Sequence, residues 1–464
     1  MSNDLGKELA YARRLAKAGK HDDAWKIVDR WMDEQPDNAN VVSLASYLLF
    51  ETKQYGLAYQ AAKRATEIEP FKSEPWTNLG RAAKELWNIE EAEHAFRKAL
   101  ETAESRDLKG ASLLNLSALY NDTGRFKESE EISREALAVT PEQSKAKMNY
   151  GMALLSQHNW DGWDYYSASW GSPARPKLPA GQEPEWDGTP GKTVFIYGEQ
   201  GLGDEINFAS MVPAAAADCK KVILECDPKL TGLFRRSFKG AKVYGTRRLQ
   251  RKWEQEDAFP DYSCTAGELG KWYCRQDPKG EPYLTADPER RLMWRALFNT
   301  KKRPVIGLAW TGGVRHTGAK FRELTLEELL PVLKSVDAHW VSLQYHDASE
   351  DIADFRKLHK DIDITQYTWA TLTKDYDDTA ALVAECDIVI SMQTAVVHLA
   401  GALGKEAWVF LPTNSQWRYG EEGDTPVWYK SVRLFRQKER SNWKQPIHRI
   451  KDELARRFRA IKAA

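Results

Sequence analysis

The chain of 464 residues is poor in cysteine and carries no excess of charge of either sign. Its five cysteines, Cys219, Cys226, Cys264, Cys274 and Cys386, are odd in number, dispersed and nowhere spaced C-x-x-C. That speaks against a disulfide framework and against a zinc site, and makes a reducing, cytoplasmic setting the expectation. The 67 basic residues equal the 67 acidic ones, so no net field draws the chain to nucleic acid or to an anionic membrane. Long apolar runs are missing as well. No uninterrupted segment is long enough to span a bilayer, and the opening MSNDLGKELA holds no apolar stretch of the secretory kind. What remains is ordinary globular composition, 42% hydrophobic and 29% charged, at a length sufficient for two or three domains.

Internal repetition accounts for the first third. Pro36 and Pro70 lie 34 residues apart, each closing an amphipathic stretch, and Pro141 closes another after a short insertion around Glu101 to Lys109. The clearest unit places Trp76, Leu79, Gly80, Ala92, Phe96 and Ala99 so that small residues fall where two helices approach and large ones fill the space between. This spacing resembles the tetratricopeptide repeat. Five helix pairs are expected up to about Trp170, the last with an aromatic second helix carrying Trp160, Trp163, Tyr165, Tyr166 and Trp170. Those rings either seal the end of the solenoid, as terminal repeats require, or offer stacking faces to a sugar.

A stretch dense in proline and glycine, 171–192, reads as a linker. Beyond it short apolar strands alternate with helices: Val194–Tyr197, Val222–Glu225, Val305–Trp310, Trp340–Gln344, Ile388–Ser391 and Ala407–Leu411 are the candidate strands. Helices are expected near Glu205–Ala217, Leu326–Ser335, Thr379–Glu385 and Ala395–Leu403. Such alternation implies parallel sheets with helices on both faces. The region from Tyr244 to Tyr283 is polar, aromatic and aperiodic, and supports no assignment.

Two strand–turn–helix units stand out, and the cleft between them is the expected site. In TVFIYGEQGLGDEINF (193–208), Gly198, Gly201 and Gly203 allow a tight turn, yet the pattern is neither G-x-G-x-x-G nor a P-loop. Its acidic residues Glu199 and Asp204 would repel a phosphate but accept a proton or a hydrogen bond from a hydroxyl. Asp204 is equally readable as a cap on the amides of the following helix. In DIVISMQTAVVHL (387–399), the helix starting at Ala395 aims its first amides at the strand ends, an arrangement that favours a diphosphate. Thr394 adds a hydroxyl. His398, one turn in, is open to a ligand role or to simple packing. The strand VIGLAW runs into Thr311-Gly312-Gly313 and a basic run, Arg315, His316, Lys320 and Arg322, readable as a solvated loop or as cations for a departing diphosphate.

GEQGLGDEINFA paired with SMQTAVVHLAGALG, together with GLAWTGG and the tail Trp428-Tyr429 followed by Arg433-Leu434-Phe435-Arg436, resembles bacterial tetratricopeptide-repeat proteins whose C-terminal half is similar to the heptosyltransferase-like glycosyltransferases of family nine. More distantly the layout looks like O-GlcNAc transferase. The resemblance implies an α+α/β chain: repeats over 1–170, a linker over 171–192, and two Rossmann-like domains of GT-B type, 193–296 for the acceptor and 297–464 for the nucleotide-sugar. It implies inverting, metal-independent transfer of a sugar to an acceptor hydroxyl, with no cofactor besides the nucleotide-sugar substrate. Asp204 matches the general base, with Glu199 the other carboxylate on its loop. Thr394, Ala395, Val396 and Val397 match the phosphate-facing helix start, and Lys320, Arg322, Gln393 and His398 are expected beside them on the donor side. Gln393 stands where relatives commonly have aspartate. A protein or glycan acceptor is expected in the repeat groove. The pair Asp361 and Asp363 is a short match to a metal-binding D-x-D and is discounted. A non-catalytic scaffold with a degenerate sugar or nucleotide site is the rival reading. A transferase acting on nucleic acid fits the balanced charge poorly.

Overall fold

The computed structural model describes residues 2–171, 175, 183–246, 259–313 and 322–463. They divide into two compact units, 1–154 and 155–464. In the first unit antiparallel helix pairs follow one another: α1 (Ser2–Lys17) with α2 (His21–Glu34), α3 (Ala39–Glu51) with α4 (Tyr55–Ile68), α5 (Ser73–Glu85) with α6 (Ile89–Glu101), and α7 (Arg106–Asp122) with α8 (Phe126–Val139). The first helices of successive pairs touch, which is how a solenoid buries faces that no single pair can cover. The extra residues near 101–109 are absorbed in α7, 17 residues long where α3 and α5 have 13.

The small residues sit where the helices meet. Ala92, Ala95 and Ala99 are fully buried beside Phe96, and a Cβ at Gly80 would lie 2.5 Å from the Phe96 ring. Helix propensity alone would make Gly80→Ala stabilising by about 1 kcal/mol. Overpacking against a buried ring costs about 1–3 kcal/mol, so urea unfolding is expected to show a net loss of about 1 kcal/mol once the propensity gain is subtracted from the middle of that range. A gain would mean that Phe96 can move aside. Buried amides add register between repeats: Asn78 donates to the Ser43 carbonyl and hydroxyl at 3.0 and 3.1 Å, and Asn149 donates to the Ser117 hydroxyl at 2.8 Å.

The expected fifth pair departs from the pattern. After α9 (Ser144–Ser156), the aromatic segment Trp160–Ser169 is a 3₁₀ helix of the second unit. With three residues per turn, positions i, i+3, i+6 and i+9 share one face, and Trp160, Trp163, Tyr166 and Ser169 are all buried. Trp163 meets Phe208 and Trp417 edge-on, at 6.4 and 5.4 Å between centroids. These rings belong to the core of the second unit, so a sugar-stacking role for Trp160, Trp163 and Tyr166 is excluded by burial.

The second unit holds two all-parallel sheets. The first has the order β3 (Ala241–Tyr244), β2 (Lys221–Glu225), β1 (Thr193–Tyr197), β4 (Tyr262–Thr265). The second has the order β10 (Val432–Arg436), β9 (Ala407–Leu411), β8 (Ile388–Met392), β5 (Val305–Ala309), β6 (His339–Ser342), β7 (Asp363–Gln366). Every residue of β5, β6, β8 and β9 is buried, as expected of parallel strands covered on both faces. On one face Ile306, Leu308, Ile388, Ile390 and Phe410 pack against Leu333, Phe355, Ile450 and Leu454 from the flanking helices. The helix expected over 205–217 is two, Leu202–Ala209 and Val212–Asp218, the second opening with Pro213 in its first turn. That expected over 326–335 is reduced to Leu330–Leu333, again with proline in its first turn.

The proline-rich stretch 171–192 lies partly outside the described residues. Of the rest, Pro184–Trp186 pairs alongside β4 through Trp186 N–H to the Ser263 carbonyl at 2.9 Å and the reciprocal Ser263 N–H to Pro184 at 3.0 Å. Among the described residues no helix is long and apolar enough to cross a membrane.

Candidate functional site

Each parallel sheet reverses its winding once, and the crevice outside the strand ends at that reversal is where ligands bind. In the first sheet the reversal lies between β1 and β4, in the second between β5 and β8. The two crevices are furnished differently.

The first is filled by the protein itself. Glu199, at the end of β1, is 2% exposed. Its carboxylate accepts from Arg175 Nε at 2.5 Å and Nη2 at 3.2 Å, and from the Gly267 amide after β4 at 3.0 Å. Arg175 also donates to the Tyr166 carbonyl and the Ser169 hydroxyl, each at 2.7 Å, and to the Thr265 hydroxyl at 3.2 Å. Its guanidinium lies 4.0 Å over the Tyr166 ring and 4.6 Å over Trp170. Expected as a second candidate base, Glu199 is committed to a buried ion pair instead.

The glycine loop beyond it serves close packing. A Cβ at Gly198 would lie 2.6 Å from the Glu205 carboxyl carbon, and Gln200 takes a left-handed φ of 63° while its amide donates to the Tyr166 hydroxyl at 2.7 Å. Gly201 caps the Leu202–Ala209 helix. Asp204 sits three residues in and reaches back, its Oδ2 accepting from the Gly201 amide at 3.1 Å. Its Oδ1 lies 2.7 Å from Arg418 Nη2, an ion pair outside hydrogen-bond alignment. Gly203 is where the two sheets meet: a Cβ there would come within 3.0 Å of His398 and 3.2 Å of the Ala395 Cα. Asp204 therefore stands beside the start of the Ala395–Ala402 helix, across from the second crevice.

The second crevice is lined by polar groups. Thr394 caps the Ala395–Ala402 helix with no side-chain hydrogen bond to it, and Thr394 and Ala395 are partly exposed whereas Val396 and Val397 are buried. The first amides are thus presented at the crevice rather than inside the core. Arg322, 6% exposed, is held there by the Thr311–Glu323 bridge and donates to the Gln393 carbonyl at 3.3 Å. Burial pulls its guanidinium below the usual value, and Tyr419, Tyr345 and Asp204 act in the opposite sense, so all three lie within electrostatic reach. Gln393 is 2% exposed, and among the described residues neither its Oε1 nor its Nε2 has a hydrogen-bond partner.

Of the two readings left open for His398, a ligand role and simple packing, the structure supports packing, since the residue is 4% exposed. Its Nδ1 lies 3.1 Å from the Tyr429 hydroxyl and its Nε2 3.4 Å from that of Tyr419. Burial, then the charge of Arg418, pushes its pKa down to about 3. It is a neutral packing residue between two tyrosines. Arg315, His316 and Lys320 lie outside the described residues. Of the discounted D-x-D pair, Asp363 is bound to His339 Nδ1 at 2.8 Å and paired with Arg303. Among the described residues no group of three or more histidine, cysteine or carboxylate side chains is placed to hold a metal ion.

Asp204, Arg322, Gln393 and Thr394 are therefore brought together, while Glu199 belongs to the other crevice. Sequence reasoning missed Arg418, 3% exposed, which joins Asp204 to Asn207 by donating from Nε to the Asn207 side-chain Oδ1 at 3.1 Å. Its signal was a lone cation between aromatics, Trp417-Arg418-Tyr419, and the guanidinium does lie over Trp417 and Phe208 at 4.6 and 4.9 Å.

The family models that match this chain fall on the first unit. Tetratricopeptide-repeat models match residues 73–106 and 110–140, so the chain carries these repeats. Protein FlbA of Caulobacter vibrioides is 27% identical over 482 aligned positions, which cover 97% of this chain and 77% of that protein. Among solved structures, Pseudomonas aeruginosa pilF is 13% identical with a TM-score of 0.34, covering 36% of this chain and 75% of that one. MamA is 14% identical with a TM-score of 0.31, covering 36% and 91%. YrrB, described as a TPR protein with an unusual peptide-binding site, is 16% identical with a TM-score of 0.29, covering 35% and 83%.

Proposed function

We propose that residues 155–464 transfer a sugar from a nucleotide-sugar to an acceptor hydroxyl, with inversion and without a metal, and that the repeats recruit the acceptor protein or a partner. The observation that carries this reading is the Gln393 amide, buried at the second crevice with neither polar atom satisfied. Leaving a buried amide unpaired costs about 1–3 kcal/mol. Such a group calls for a partner, and beside a helix start and an arginine a polar ligand supplies one.

In the proposed reaction the acceptor oxygen attacks the anomeric carbon from the face opposite the diphosphate while its proton passes to the Asp204 carboxylate. The bond from the anomeric carbon to the diphosphate oxygen breaks, and the diphosphate leaves with the electron pair. The first amides of the Ala395–Ala402 helix, Arg322 and, by sequence, Lys320 meet the developing charge. Gln393 would donate to one sugar hydroxyl and accept from another.

The non-catalytic alternative has one observation in its favour: both oxygens of Asp204 are engaged, with Gly201 and with Arg418. Nucleoside diphosphate release from a panel of nucleotide-sugars, measured with excess EDTA, separates the two. Release is expected from at least one donor. Binding of the corresponding diphosphate is expected to raise stability by about 2.7 kcal/mol at 100 times its dissociation constant. Arg322→Ala is expected to weaken that binding roughly tenfold or more, since it removes a charge-assisted contact. No release from any donor, together with intact diphosphate binding, would leave a sensor; strict dependence on manganese would overturn the metal-free scheme.

A further inference from the structure

Tyr345 follows β6 and is 58% exposed. Single exposed aromatics are common and by themselves mean little. Trp369, 50% exposed, already has its face covered by Trp294, parallel at 4.6 Å and 4°. Tyr345 is different in two respects. Its ring meets His346 edge to face, at 5.2 Å and 86°, rather than lying flat against a neighbouring ring. Its hydroxyl donates to the Gly313 carbonyl at 3.1 Å, tying the phenol tip to the loop after β5.

The backbone that carries the ring is fixed as well. Gln366 Nε2 donates to the carbonyls of Gln344 at 3.2 Å and His346 at 2.9 Å, and its Oε1 accepts from the Ala348 amide at 2.8 Å. The Gln344 side chain is bonded to the Thr311 hydroxyl at 2.5 Å, and His346 Nε2 lies 3.1 Å from the same oxygen. An exposed ring on a backbone held this tightly gives up little freedom when something stacks on it.

Its position completes the argument. The diphosphate end of the crevice lies between β8 and β5, and β6 is the next strand beyond β5. The loop that carries Tyr345 therefore follows the strand two spacings, about 10 Å, from the one that leads into the helix, where a nucleoside attached to that diphosphate would meet it on extending along the strand ends past β5. Arg322, between them, is within reach of both Tyr345 and Asp204.

We infer that Tyr345 is the platform on which the donor's nucleobase stacks. This rests on the nucleotide-sugar reading above. The test titrates the full-length chain with ADP, GDP, CDP, UDP and inorganic pyrophosphate by calorimetry. Tyr345→Ala is expected to weaken the tightest-binding nucleotide roughly ten- to a hundredfold, the range base–aromatic stacking supplies, and to leave pyrophosphate within about twofold. Tyr345→Phe keeps the ring and is expected to stay close to wild type. Should Tyr345→Ala not fold, Tyr345→Leu carries the same expectation. Unchanged nucleotide binding in the alanine variant, an equal loss for pyrophosphate, or a phenylalanine variant as weak as alanine would each overturn the stacking role while leaving the crevice as a nucleotide site. If wild type binds none of the four nucleotides, the nucleotide-sugar reading itself fails, and the platform with it.

Discussion

Asp204→Asn is expected to slow sugar transfer by at least about a hundredfold, the lower end of what a general base contributes. The amide can still accept from Gly201 and fills the same space, but it takes no proton. Stability does not isolate this effect. Asp204 pairs with Arg418, whose side chain is 4% exposed, and a buried guanidinium that loses its counter-charge is costly, so a drop in melting temperature is expected alongside the kinetic loss. The separating measurement is diphosphate binding. If Asp204 is the base, the diphosphate site formed by Thr394, Ala395 and Arg322 is intact and its dissociation constant changes by no more than a few fold. Parallel loss of binding and transfer would make Asp204 a tie between the two sheets. Near wild-type transfer would end the base assignment, and Glu199 offers no replacement, because its carboxylate is held by Arg175 and the Gly267 amide.

What the sequence disclosed follows burial. β1, β2, β5, β6, β8 and β9 are central or nearly so, shielded by neighbours, and read as continuous apolar runs. β3, β4, β7 and β10 are the four outer strands of the two sheets, and all four escaped sequence reading. β3, β7 and β10 are bonded to a strand on one side only and tolerate polar residues, so AKVY, DITQ and VRLFR carry no clean signal, while β4 is bonded on its outer side only by the short segment Pro184–Trp186. The aromatic segment, expected as the second helix of a fifth repeat pair, has buried residues at every third position of a 3₁₀ helix instead. The two glycine-bearing turns were legible because they are local. Arg175 and Arg418 were not, since their partners Glu199 and Asp204 lie 24 and 214 positions away (199 − 175 and 418 − 204). A polar stretch gives no hint that one of its cations is buried.

Arg175→Met is expected to destabilise the second unit by about 3–5 kcal/mol, the usual consequence of stranding one member of a buried ion pair. Glu199 would keep the Gly267 amide but lose both guanidinium contacts, and the cation over the Tyr166 and Trp170 rings would vanish with them. Urea unfolding followed by tryptophan fluorescence measures the loss. The informative comparison is the double variant Arg175→Met, Glu199→Gln. With no charge left to strand, it is expected to recover a substantial part of the stability, because replacing both members of a buried pair by neutral groups is often close to neutral. Transfer per folded molecule is expected to survive in Glu199→Gln, which separates a structural carboxylate from a catalytic one. A cost below about 1 kcal/mol for Arg175→Met would mean the pair is solvated and the first crevice free to take a ligand. A Glu199→Gln variant that folds normally but no longer transfers sugar would return the base assignment to Glu199.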